Sequence, residues 1–177
     1  LNRGAILQQC VVEAFDIMTR YYDENRVHVE GWKTNDAWRV NRRVVLPRVV
    51  DVWYGGDGHL TYGDTRQNLN DIDRAMAFLE GKKLESVPRT TVWALEAHFK
   101  ECGPDFSGVL FESTYFEMRC YKKGTLHMYF KDKELWERFN LTAARGKNWL
   151  PDDVKARERE DRTRNRRADQ YGLPLSA

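Results

Sequence analysis

Cysteine is scarce in this 177-residue chain: Cys10, Cys102 and Cys120 are far apart and odd in number. That pattern builds neither a disulfide framework nor a zinc knuckle, and it fits small, buried, reduced side chains. No stretch approaches the roughly 18 consecutive apolar residues that a membrane helix needs, so no membrane partner is expected. No basic segment followed by an apolar run opens the chain, so no signal peptide is read and a cytoplasmic setting is expected. The first residue is Leu1 and not Met, which fits a fragment of something longer. Charge of one sign is also missing. The 29 basic and 27 acidic side chains leave a net charge of +2, which excludes a simple polycation. Several chemical signatures are absent too. There is no Walker loop, no GxGxxG between strand and helix, no HxxxH or CxxC pair, and no Ser-His-Asp or Cys-His set. Neither a cofactor nor a metal is therefore expected.

What the chain has is rings. Aromatics make up 12% of it, with six Trp, enough to bury a real core. Residues 5–22 read as an amphipathic helix through Leu7, Val11, Phe15 and Met18, with Ile6 and Tyr22 beside them. Val27–Glu30 is short and β-branched, and Gly31–Trp53 reads as strand, turn, strand, broken at Pro47. The four glycines of Tyr54–Asp64 predict a loop. Helices are expected over about 70–80 (Leu69, Ile72, Met76, Leu79) and 91–101 (Val92, Leu95, Phe99). Phe116–Phe130 alternates on both sides of Lys122-Lys123-Gly124-Thr125, the pattern of a β-hairpin. A helix over about 133–144 follows, with Leu135, Trp136, Phe139 and Ala143 inward. No repeated βαβ unit is present. The expected class is therefore α+β, with helices packed on a small antiparallel sheet and a prominent C-terminal hairpin. Residues 1–148 read as a single domain and 149–177 as a charged tail. Its segment Pro151–Gln170 has no apolar stripe, and reads as an exposed helix or a connector.

The charge is unevenly spread. Residues 26–50 hold six basic and two acidic side chains, residues 114–150 eight and four, and residues 51–113 six and eleven. Two hairpin-like regions are thus basic and the middle is acidic. Arg39, Arg42, Arg43 and Arg48 stand near Trp32 and Trp38, and Lys122, Lys123, Lys131 and Lys133 near Tyr121 and Tyr129. Basic side chains interleaved with rings suit phosphate contacts and base stacking. The candidate nucleic-acid contacts are Lys33, Arg39, Arg42, Arg43, Arg119, Lys122, Lys123 and His127. The alternative is an ordinary solvated surface over core aromatics. His127 alternates with Leu126 and Met128, so it falls on the wetter hairpin face with Tyr129, and with Tyr121 or Arg119 across the turn. There it could bind phosphate or act in acid–base work, or be a structural histidine bonded to a neighbouring backbone or carboxylate.

Two layouts hint at metal chemistry. Asp57, His59 and Asp64 could gather on one ion, though a plain turn explains them as well. Asp105 followed by Glu117-Met118-Arg119 loosely matches the acid plus E-x-K arrangement of metal-dependent nucleases. Arg119 stands where Lys should be, and arginine does not give up its proton. No catalytic residue is assigned, and a non-enzymatic role is the leading expectation.

Gly31–Pro47 and Tyr115–Asn140 together resemble the signature blocks of the bacterial and phage family called domain of unknown function 4942. The second block is the more specific: strand, Lys/Asn-Gly turn, Leu-His-hydrophobic-aromatic strand, then a helix ending in Leu/Phe-Asn. The resemblance covers about residues 5–145. It implies a phage, plasmid or prophage product in a bacterial cytoplasm. Some members are joined to adenine-specific DNA methyltransferase domains, which implies a DNA-associated role. This chain has no Asp/Asn-Pro-Pro-Tyr motif and is not itself the methyltransferase. Three functions follow as expectations: a non-catalytic DNA-binding or target-recognition module, a small metal-dependent nuclease or hydrolase, or a factor that engages host restriction or defence proteins through its tail.

Overall fold

The computed structural model describes residues 2–25, 39–150 and 152–171. Lys33, with Trp32 and Trp38, lies outside these residues. The described part has the expected α+β class, with five α-helices, a four-stranded antiparallel sheet and a separate two-stranded one.

Helix α1 spans Arg3–Asn25, and Asn2 caps its first turn by accepting from the Ala5 N–H at 2.8 Å. Its stripe behaves as read: Val11, Phe15 and Met18 are fully buried, while Ile6 stays exposed. Strand β1 (Arg43–Leu46) leads to β2 (Val50–Val52) and β3 (Gly58–Leu60), which pair antiparallel. The glycine-rich stretch is therefore not all loop. Strand β3 lies within it because a glycine at position 58 lets the backbone approach two phenylalanine rings. A Cβ there would meet the Phe99 ring at 2.7 Å and the Phe106 ring at 2.8 Å.

Helix α2 spans Thr65–Leu79 and starts earlier than its apolar stripe, since Thr65–Asn68 are polar. Helix α3 (Thr91–Cys102) is capped by the Thr90 hydroxyl, which accepts from the Trp93 N–H at 3.2 Å. Two-residue β4 (Phe111–Glu112) precedes the hairpin of β5 (Phe116–Cys120) and β6 (Leu126–Phe130). Helix α4 (Lys133–Gly146) begins at Asp132, whose carboxylate accepts from the Leu135 N–H at 3.1 Å. Helix α5 (Asp152–Tyr171) carries the charged tail, and none of its described side chains is buried.

The large sheet has the order β1-β6-β5-β4. Its inner face presents Val44, Leu46, Phe116, Met118, Cys120, Leu126, Met128 and Phe130, all buried. Rings carry this face into the helices. Phe116 meets Phe130 edge-on at 5.0 Å, Phe130 lies 5.6 Å from Phe139 of α4, and Phe139 lies 6.4 Å from Phe15 of α1. Burial pushes the Cys120 thiol up to about 12, so it is a packed side chain and not a nucleophile.

Candidate nucleic-acid interface

Strand alternation decides what the outer face carries. Since inner residues take every second position, the register sets Arg43, Tyr129 and Glu117 in one row, and Val45, His127 and Arg119 in the next. Tyr121 follows β5, and its ring lies 4.8 Å from the His127 ring. Tyr129 is 42% exposed, and the Arg42 guanidinium sits 5.1 Å from its ring centroid. Arg43, Glu117, Arg119, Tyr121, His127 and Tyr129 border an open hollow of about 430 Å³.

The hairpin tip is a three-residue loop. The Gly124 N–H donates to the Tyr121 carbonyl at 2.9 Å and the Tyr121 N–H to the Thr125 carbonyl at 3.0 Å, with Gly124 at φ 108°. That is the turn-plus-bulge geometry that calls for glycine, and it leaves Lys122 and Lys123 exposed at the end. The Gly124 carbonyl accepts from both Val49 and Val50 N–H groups, at 2.8 and 3.1 Å. The tip is thus fixed to the start of β2.

The field at this face is positive. His127 titrates below its ordinary 6.5, first because of burial and then because Arg43 and Lys123 oppose a further charge. Among the described residues the His127 ring makes no side-chain hydrogen bond and packs instead against the Tyr121 ring, so a histidine bonded to a described backbone group or carboxylate is not what is found. Arg119 is oriented by donating to the Gly108 carbonyl at 2.8 Å.

The family model of a domain of unknown function (DUF4942) matches residues 1–149. The chain belongs to this family. No curated protein and no solved structure matches it.

In this DUF4942 chain the predicted contacts divide into two groups. Arg43, Arg119, Lys123 and His127 converge on the outer face, with Lys122 at the tip. Arg39 and Arg42 lie at the β1 margin and are engaged there. Arg42 donates to the Phe130 and Lys131 carbonyls at 2.8 and 3.2 Å, and Arg39 lies 5.5 Å from the Trp136 ring centroid. Two α4 side chains hold that margin. The Asn140 carbonyl oxygen accepts from the Val40 N–H at 2.7 Å, and the Trp136 indole donates to the Val40 carbonyl at 3.0 Å. Asn140 and Trp136 were invisible as site-builders in the sequence, because each sits on a helix with a core stripe.

The residues of the two metal layouts do not gather. Asp57 and His59 belong to the β2–β3 unit, Asp105 follows α3, and Glu117 is on β5. Among the described residues no group of three His, Cys, Asp or Glu could hold a metal ion. No helix among them is long and apolar enough to cross a membrane.

Proposed function

We propose that this chain is a non-catalytic nucleic-acid-binding module, and that it takes a single strand on the open face of its four-stranded sheet. The observation that carries this reading is the convergence of Tyr121, His127 and Tyr129 with Arg43, Arg119 and Lys123. Rings accept unstacked bases, and the surrounding cations neutralise phosphate. Shape favours a single strand. At roughly 4.8 Å per strand the sheet is about 14 Å across, too broad to enter a duplex major groove of about 12 Å. The family resemblance to domains joined to adenine DNA methyltransferases favours DNA, in a phage or other mobile-element setting. There the module would hold or recognise a target that another chain modifies.

Fluorescence anisotropy with labelled oligo-dT and a matching duplex, at two salt concentrations, tests this. Binding should be tighter for the single strand and fall with salt. Lys122→Ala with Lys123→Ala should weaken it and flatten the salt slope by about two phosphate contacts. A bound phosphate should raise the His127 titration, which NMR of its ring protons reads directly, so binding should strengthen as pH falls. Binding of neither nucleic acid, or binding indifferent to salt, refutes the module.

A further inference from the structure

The β2–β3 hairpin presents a second surface of opposite character. From Asp51 to Asp64 there are three carboxylates and no Lys or Arg. The same short segment carries four rings: Trp53, Tyr54, His59 and Tyr62. Trp53 and His59 stack at 3.9 Å between centroids, and His59 lies 5.5 Å from Tyr62. Trp53 is 52% exposed, Tyr62 76%, and Tyr54 fully. Large rings left this open are not held by the core. The inner side of the hairpin is satisfied by Gly58 seated against Phe99 and Phe106, so the rings are not a failed attempt at packing. Asp51 stands opposite His59 in the register, which puts its carboxylate on the ring-bearing face.

No ion pair among the described residues reaches Asp51, Asp57 or Asp64. Arg66 pairs with Glu96, and Arg48 borders the same hollow as Asp64 at the N-terminus of α2, which leaves Asp51 and Asp57 as the exposed carboxylates of the hairpin. An exposed ring cluster beside uncompensated carboxylates repels phosphate and attracts organic cations. Guanidinium suits it best, since that planar ion stacks on rings and meets carboxylates edge-on.

We propose that the Trp53–His59–Tyr62 face, with Asp51, is a docking site for an arginine-bearing segment of a partner protein. It is separate from the basic sheet face and stands whether or not that face binds nucleic acid. The two surfaces together would let one small domain hold a nucleic-acid strand and a cationic protein at once.

The test is anisotropy of the full chain with three labelled probes: a Gly-Arg repeat peptide, a Gly-Lys repeat of equal charge, and oligo-dT. The arginine peptide should bind more tightly than the lysine peptide. Trp53→Ala and Tyr62→Ala should each weaken it by roughly fivefold or more, the scale of one lost cation–ring contact. Asp51→Asn should weaken it less and reduce its salt dependence. Lys122→Ala with Lys123→Ala should leave it unchanged. Trp53 and Tyr62 are exposed, and an unchanged melting temperature will confirm that the variants fold. Equal arginine-peptide affinity in the wild type and both ring variants overturns the proposal. So does loss of oligo-dT binding, with peptide binding intact, in Trp53→Ala, which would assign the rings to the nucleic acid. Concentration-dependent self-association that Trp53→Ala abolishes, with no peptide effect, would overturn it in favour of a second copy as occupant.

Discussion

Asp73 is wholly buried on α2, where its two carboxylate oxygens accept from the Thr91 backbone N–H at 2.5 Å and the Thr91 hydroxyl at 3.0 Å. It fixes the first residue of α3 to the side of α2. Burial raises its carboxyl from 3.8 to about 6, against the opposing pull of the Thr91 bonds. A carboxyl that binds its proton more tightly in the folded state adds stability at low pH. That stability is lost as pH rises from the unfolded value through about 6. Two pKa units correspond to about 3 kcal/mol at most. Urea unfolding of the wild type and Asp73→Asn should therefore show the wild type gaining on the variant as pH falls from about 7 to about 4. Parallel stability profiles across that range would refute the assignment. Nothing in the sequence marks Asp73, one acid inside an apolar stripe. By contrast, strict alternation with Leu126 and Met128 is enough to put His127 on the outer face.

Elements were legible wherever their periodicity was long enough to read. The Leu69–Ile72–Met76–Leu79 and Val92–Leu95–Phe99 stripes and the Phe116–Phe130 alternation all correspond to structure. What escaped was short or polar: three-residue β3, two-residue β4, and the first turn of α2. A strand of three residues has no period to detect, and β3 depends on a contact made more than forty residues away, by Phe99 and Phe106. That contact is testable. Gly58→Ala adds a methyl where no room exists, and should destabilise the chain by about 1–3 kcal/mol. Chemical denaturation measures this, and an unchanged midpoint would show that the hairpin does not depend on its seat against α3. The interface shares this illegibility. Arg43 on β1 and Arg119 on β5 flank His127 only because β6 lies between their strands, a pairing across more than seventy residues.

At the scale of the molecule, a net charge of +2 conceals two separated fields, a basic sheet face and an acidic, ring-bearing hairpin. The tail adds a third district. Helix α5 runs for 20 residues with no described side chain buried, although Lys155, Arg159 and Arg162 border a shallow hollow with Arg145, Asn148 and Leu150. Truncation after Leu150 should remove helical circular dichroism for about that length, yet move the melting temperature by no more than a few degrees, about 1 kcal/mol. A large fall would mean that the tail props the domain, leaving it less free for a partner. Pull-down from a bacterial lysate with and without the tail reads its role in protein contacts.

One small feature joins the two faces. The Gly124 carbonyl receives the N–H groups of both Val49 and Val50, so a single oxygen at the lysine-bearing tip anchors the strand that carries Asp51 and leads into Trp53. The tip cannot tilt without drawing that strand along or releasing it. A partner bound at either proposed surface would therefore load the other through these two hydrogen bonds, and the two surfaces keep a set spacing. With both proposed surfaces occupied, the molecule would act as a fixed-gauge coupler between an anionic load and a cationic one.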